Sequence, residues 1–171
     1  MKKDRIKRMP EPAGNFVARS FTIEDCPEVI DIIRYHLIHT YSKVYSKRAV
    51  DFYFQYHSPE NIIKKSVDGR SLIVENRGKI IGTGNITNDY ISTLFVHPDY
   101  CNNGTGKLIM RKLEELALLN HLTTVRLDAI PGKVEYFKKL GYRLIAKGMD
   151  ELEGGEVLEY YKMDKILTPN L

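Results

Sequence analysis

Apolar residues recur along this chain in two rhythms, and the rhythm changes wherever turn-forming residues fall. In NFVARSF (15–21) Phe16 and Ala18 alternate with Val17 and Arg19, the period-two pattern of a strand. Thr22 and Asp25 follow at the spacing of a capping box. The run after them places Val29, Ile30, Ile33, Leu37 and Ile38 on one helical face. SKRAVDFYFQYHSPENIIKKSV reads as two short helices, broken where Pro59 disfavours helical geometry at Ser58. SLIVENRGKIIGTGNI is a hairpin turning at Asn76-Arg77-Gly78, and DYISTLFV is a further strand that ends at Pro98. From Gly104 to about Asn120 the period is helical again, with Ile109, Leu113, Leu116 and Ala117 aligned. TTVRLDAI reads as a strand and GKVEYFKKL as a helix closed by Gly141. YRLIA and EVLEYYKM complete the series as strands around a loop rich in Gly and Glu.

Composition narrows the class. With 171 residues, 43% apolar and 28% charged, the chain can bury one sizeable core. No repeat, linker or break in composition divides it, so residues 14–171 are expected to form a single α/β domain behind a basic flexible tail, 1–13. Five of the first eight residues are basic, so the remainder is close to neutral despite the net charge of +4. The tail reads as a solvated charge run, with no nucleic-acid or membrane partner. No apolar run nears the ~20 residues of a membrane span, and no signal-peptide core follows the basic start. Cys26 and Cys101 form neither a disulfide framework nor a metal-ligand spacing, so the expectation is a cytoplasmic protein without a metal.

The segment VHPDYCNNGTGKL carries the most chemistry. It ends like a nucleotide-binding P-loop, but Cys101 stands where the first glycine belongs and Leu108 where a magnesium-binding hydroxyl belongs. A nucleotide triphosphatase is therefore disfavoured. Two glycines at the mouth of a long helix still suit a pyrophosphate, through close backbone approach and unpaired N–H groups.

LFVHPDYCNNGTGKLIMRKLEELA, followed by VRLDA and VEYFKKLGYRL, resembles the acyl-CoA-dependent N-acyltransferases of the GNAT superfamily. The likeness runs from ARSFTIEDCPEVIDII to the closing YYKMDK. It implies a mixed, mostly antiparallel central sheet flanked by helices, with a V-shaped splay between its two middle strands. Acetyl-CoA would lie in the V as co-substrate. Its pantetheine arm would follow the backbone of Leu94, Phe95 and Val96. Its pyrophosphate would meet the N–H groups of Asn102, Asn103, Gly104, Thr105, Gly106 and Lys107. The implied activity is transfer of an acetyl group to a primary amine, small-molecule or peptide, by direct attack in a ternary complex. The alternative is a CoA-binding sensor with weakened catalysis. The resemblance also makes a homodimer possible.

Three positions depart from that family's pattern. Cys101 replaces a Gln or Arg, Ile130 replaces an Asn that contacts CoA, and Phe137 replaces the Tyr that protonates the CoA thiolate. Tyr136, one residue earlier and ~100° round the helix, is the substitute acid candidate. Asp89 and His97 are candidate general bases, with Asp128 as a third. Tyr41, Tyr45 and Tyr53 are candidate acceptor residues, since aromatic faces can hold an ammonium group.

Overall fold

A computed structural model describes residues 16–168; the basic tail, 1–13, lies outside that range. The strands are β1 (Phe16–Ser20), β2 (Arg70–Asn76), β3 (Lys79–Thr87), β4 (Tyr90–Val96), β5 (Thr124–Ala129), β6 (Arg143–Leu152) and β7 (Glu156–Ile166). The helices are α1 (Cys26–His39), α2 (Lys47–Tyr56), α3 (Pro59–Asp68), α4 (Thr105–Leu119) and α5 (Val134–Lys139). The strands form one seven-stranded sheet in the order β1-β2-β3-β4-β5-β7-β6. Among the described residues no helix is long and apolar enough to cross a membrane.

Local chemistry sets most of these boundaries. The Thr22 N–H donates to the Asp25 carboxylate at 2.7 Å, closing the expected capping box at a short 3-10 turn before α1. Arg19 makes two 2.7 Å bonds to Asp25 and also binds Glu75, pinning this helix entrance to β1 and β2. Ser58 caps α3 and Pro59 is its first residue, which separates it from α2. Arg77 and Gly78, both at positive φ, make the two-residue turn between β2 and β3.

Two expectations are corrected. Ile38 is 53% exposed, whereas Ile32 is buried. At ~100° per residue Ile38 lies ~140° from Ile33, the centre of the buried face, and Ile32 only ~100°. The supposed Gly- and Glu-rich loop is mostly strand: β6 runs on to Leu152, paired with Glu156 of β7. The turn itself is Glu153-Gly154-Gly155, with both glycines at positive φ.

The sheet divides two apolar cores. On one face α1, α2 and α3 pack Ile33, Leu37, Val50 and Ile62 against Ile73 and Phe95. On the other, α4 packs Ile109, Met110 and Leu113 against Val74, Ile81 and Val125. Each such side chain contributes about 1.5–3 kcal/mol on burial. α4 lies close to β3 because Gly82 and Gly84 have no side chains; a Cβ on either would come within 2.6 Å of Ile109. That seat aims the first turn of α4 at the end of β4.

Candidate active site

β4 and β5 are neighbours in the sheet, yet Tyr90 opposite Arg126 is their one paired position. Beyond it the two strands part, and the expected splay opens into a cleft of about 990 Å³. β4 stays paired with β3 along its other edge, with a register break opposite Thr83–Asn85 and Thr93 at φ 55°. The edge of Leu94, Phe95 and Val96 that faces β5 is thereby left open along the cleft.

One group on that edge is engaged from above. His36 Nε2 lies 2.6 Å from the Val96 carbonyl, which can only accept, so Nε2 carries the proton. Nδ1 is then the acceptor for the Thr40 hydroxyl at 3.3 Å. Burial holds His36 below its ordinary pKa, so it stays neutral there. Its sequence gave no sign of this role.

At the end of β4 the chain turns through Asn102 (φ 62°) and Gly104 (φ 90°) into α4. The six expected cradle residues divide into two sets. Asn102, Gly104, Gly106 and Lys107 line the cleft. Asn103 and Thr105 face each other instead, the Asn103 Oδ1 accepting from the Thr105 N–H at 3.3 Å and from its hydroxyl at 2.7 Å. Thr105 is fully buried. This pair fixes the mouth of the helix, and nothing lies within 4 Å of where a Gly104 Cβ would be. Lys133 and Lys139 also line the cleft, so Lys107 has basic company there. Cys101 is exposed, with Sγ 3.7 Å from the Val96 carbonyl; burial pushes its thiol up, so no activated thiolate forms.

Tyr136 reaches the same end. Its hydroxyl lies 2.5 Å from where a Gly106 Cβ would be, and burial pushes the phenol up to about 12. Phe137 borders the cleft too and packs edge-on against Tyr142 at 6.0 Å. Tyr142 is buried and donates to Glu114 at 3.0 Å.

The three carboxylate and imidazole candidates have different surroundings. Asp89 is bound by Arg126 at 2.7 and 2.8 Å, which holds its carboxyl below the usual range, and it is not among the cleft residues. His97 also lies off the cleft; its Nδ1 accepts from the Asp99 N–H at 3.3 Å and its ring meets Tyr100 edge-on. Asp128 does face the cleft. It accepts from the Tyr90 hydroxyl at 3.0 Å, and burial raises its pKa.

Of the acceptor candidates, Tyr41 and Tyr53 line the cleft with ring centroids 4.8 Å apart. Tyr45 stands behind them and donates to the Glu159 carbonyl at 2.6 Å, tying the helical side to β7. The opposite wall comes from the β6–β7 hairpin, whose Asp150 accepts from the Tyr160 hydroxyl at 3.1 Å. His57, at the end of the same tyrosine-rich stretch, lines the cleft too, whereas Asp150 and Tyr160 were not anticipated. The hairpin pair needed the register Gly148 opposite Tyr160, which the sequence pattern alone does not fix.

Residues 41–164 match the sequence model of the acetyltransferase (GNAT) domain. Solved structures share the whole fold. A GCN5-related N-acetyltransferase structure from Rhodopseudomonas palustris is 24% identical with a TM-score of 0.80, over 88% of this chain and 95% of that one. The PaiA N-acetyltransferase of Thermoplasma acidophilum, solved with coenzyme A, gives 19% and 0.73 over 89% and 99%. YncA of Salmonella typhimurium, a putative acetyltransferase solved with acetyl-CoA, gives 15% and 0.64 over 91% and 95%.

Proposed function

Given that the chain belongs to the GNAT acetyltransferases, we propose that it transfers an acetyl group from acetyl-CoA to a primary amine in one ternary complex. The observation that carries this reading is the continuity of the cleft. An open strand edge at Leu94–Val96 leads into a glycine-headed helix mouth at one end and to Asp128 among tyrosines at the other. Acetyl-CoA bound along it would set its diphosphate on the N–H groups of Gly104, Gly106 and Lys107, with the α4 dipole favouring that charge. Its pantetheine arm would follow β4. Backbone alternation turns the polar groups of Phe95 toward β3, and His36 already occupies the Val96 carbonyl, so the N–H and C=O of Leu94 and the N–H of Val96 are the strand groups best suited to that arm.

The chemistry needs a neutral amine. An alkylamine of pKa ~10.4 loses about 4–5 kcal/mol to deprotonation near pH 7, so a proton acceptor beside it raises the rate. Asp128 suits that role, directly or through one water, because it faces the cleft and its pKa is raised. The amine nitrogen attacks the thioester carbon, the C–S bond breaks, and the amine proton leaves toward Asp128. The thiolate then takes a proton. The Tyr136 phenol stays protonated at neutral pH but lies beside Gly106 at the helix mouth, a place better suited to binding the co-substrate than to proton donation. Asp89 and His97 are less suited, one neutralised by Arg126 and the other turned away.

The test is a thermal melt with acetyl-CoA against free CoA and ATP–magnesium, followed by thiol release with an amine panel. Ligand at 100 times its Kd adds ~2.7 kcal/mol, or roughly 5–10 °C for this size. Stabilisation by acetyl-CoA with sustained thiol release is the expected result. Binding without turnover would favour the sensor reading, and no binding would overturn both.

A further inference from the structure

We infer that the acceptor is an alkyl amine carrying a second positive charge, held by Asp150 while Asp128 serves the reacting nitrogen. This deepens the acetyl-transfer reading above and rests on it. The first observation is how charge divides along the cleft. Lys107 lies in the first turn of α4 and Lys43, Lys133 and Lys139 also line the cleft on helical or loop segments, whereas its acidic residues, Asp128 and Asp150, both stand on the sheet. Among the described residues no basic side chain comes within ion-pairing distance of either carboxylate, although the chain has 26 Lys and Arg. Each is bonded by a phenol instead, Asp128 by Tyr90 and Asp150 by Tyr160.

Strand register brings them together. Asp128 stands opposite Lys162, Tyr160 opposite Gly148 and Leu158 opposite Asp150, so all share one face of β5, β7 and β6. The two carboxylates are close enough that Asp150 makes Asp128 harder to ionise, and Tyr53 senses both. Lys162, the one cation in this row, carries its ammonium 5.9 Å over the Tyr160 ring and eases the ionisation of Asp128 from a distance without pairing with it. The Tyr160 ring lies flat across Gly148, where a Cβ would come within 2.3 Å of it.

One positive charge does not satisfy this arrangement. The attacking nitrogen must give up its proton, so the carboxylate that receives it ceases to be its counter-ion. A second carboxylate is then left facing aromatic surfaces that favour a cation, those of Tyr53, Tyr56 and Tyr160. A further group in the cleft lacks a partner. His57 is 6% exposed, and its Nδ1 has no hydrogen bond. A neutral imidazole there provides a partner for an N–H donor. The wall that bears Asp150 and Tyr160 is held in place, because the β6–β7 hairpin is strapped to the start of α2 by Tyr45 on Glu159, Arg48 on the Glu153 carbonyl and Ser46 on Glu156.

The deciding experiment measures thiol release from acetyl-CoA with three acceptors of one chain length: α,ω-diaminobutane, butylamine and γ-aminobutyrate. A charge-assisted contact is worth about a decade or more, so kcat/KM for the diamine should exceed that for butylamine at least about tenfold. γ-Aminobutyrate, with a carboxylate in place of the second ammonium, should be the poorest. Asp150→Asn should bring the diamine-to-butylamine ratio to within about twofold of unity. Tyr160→Phe, which frees Asp150 but keeps the ring, should shrink the ratio less. Parity between diamine and butylamine, or a preference that survives Asp150→Asn, overturns the inference and leaves acetyl transfer standing. Stabilisation by acetyl-CoA with turnover of none of the three also overturns it. Absence of acetyl-CoA binding would instead remove the reading on which it rests.

Discussion

Asp89 and Asp128 stand at opposite ends of the short β4–β5 junction, and their surroundings drive them in opposite directions. Arg126 makes Asp89 a stronger acid, whereas burial makes Asp128 a weaker one despite the opposing hydrogen bond from Tyr90. A carboxylate with a raised pKa is the better proton acceptor at neutral pH. Asp128→Asn should therefore lower kcat/KM for the amine by about two orders of magnitude or more, with the KM for acetyl-CoA little changed, as read by steady-state thiol release. Tyr136 is separable from it by position. Its hydroxyl lies beside Gly106, at the helix mouth. Tyr136→Phe is expected to raise the KM for acetyl-CoA severalfold and to leave kcat within about twofold. The reverse split, with kcat falling at constant KM, would assign it to protonation of the thiolate.

At the scale of elements, α4 acts as both packing unit and binding end. Ile109 rests where Gly82 and Gly84 leave room, so the helix cannot slide without clashing with β3. Its mouth depends on Gly104 at φ 90°, a conformation that costs a residue with a side chain about 1–2 kcal/mol. Gly104→Asp adds that strain and a negative charge where a diphosphate would lie. The mutant should remain folded by far-UV circular dichroism and lose the melting shift with acetyl-CoA; a retained shift would move the phosphate site elsewhere. The β6–β7 hairpin is the second functional element, since Tyr45 couples it to the α1–α2 connection at 2.6 Å. That strap makes the acceptor wall a joint product of residues 114 positions apart.

For the whole molecule, the cleft has a cost in stability. His57 is buried against Tyr53 and Phe95 with Nδ1 unbonded, and its pKa is pushed down to about 3 from 6.5. Between those values the unfolded chain binds a proton that the folded one refuses. Stability from this residue is thus complete above about pH 6.5 and is lost as pH falls toward the folded value, by up to roughly 1.4 kcal/mol per unit. In melting scans His57→Phe should flatten the acid limb by about 3–6 °C per pH unit and should not destabilise the protein near neutrality. His36, also held neutral by burial, should leave a residual slope of the same sign. An acid limb as steep as that of the native chain would mean that His57 is protonated in the folded state.

What the sequence determined by itself was local. Capping at Thr22 and Asp25, the break at Ser58-Pro59, the Arg77-Gly78 turn and the glycines before α4 each act over a few residues, so their chemistry is legible in order. The GNAT resemblance supplied the splay and the direction of the co-substrate, because its motif includes the strand and helix that frame the loop. The tertiary structure decided whatever depends on strand register and on contacts between distant segments. It set Asp89 against Arg126, turned His97 toward Tyr100, and faced Asp128 into the cleft. It brought His36 onto the Val96 carbonyl and set Asp150, from a segment that reads as loop, against Tyr160 of the closing strand. Period-two patterning tells which residues share a face of one strand, but a slip of one residue between strands reverses every pairing. The acceptor wall is made of such pairings, so it emerges only once β5, β7 and β6 are in register.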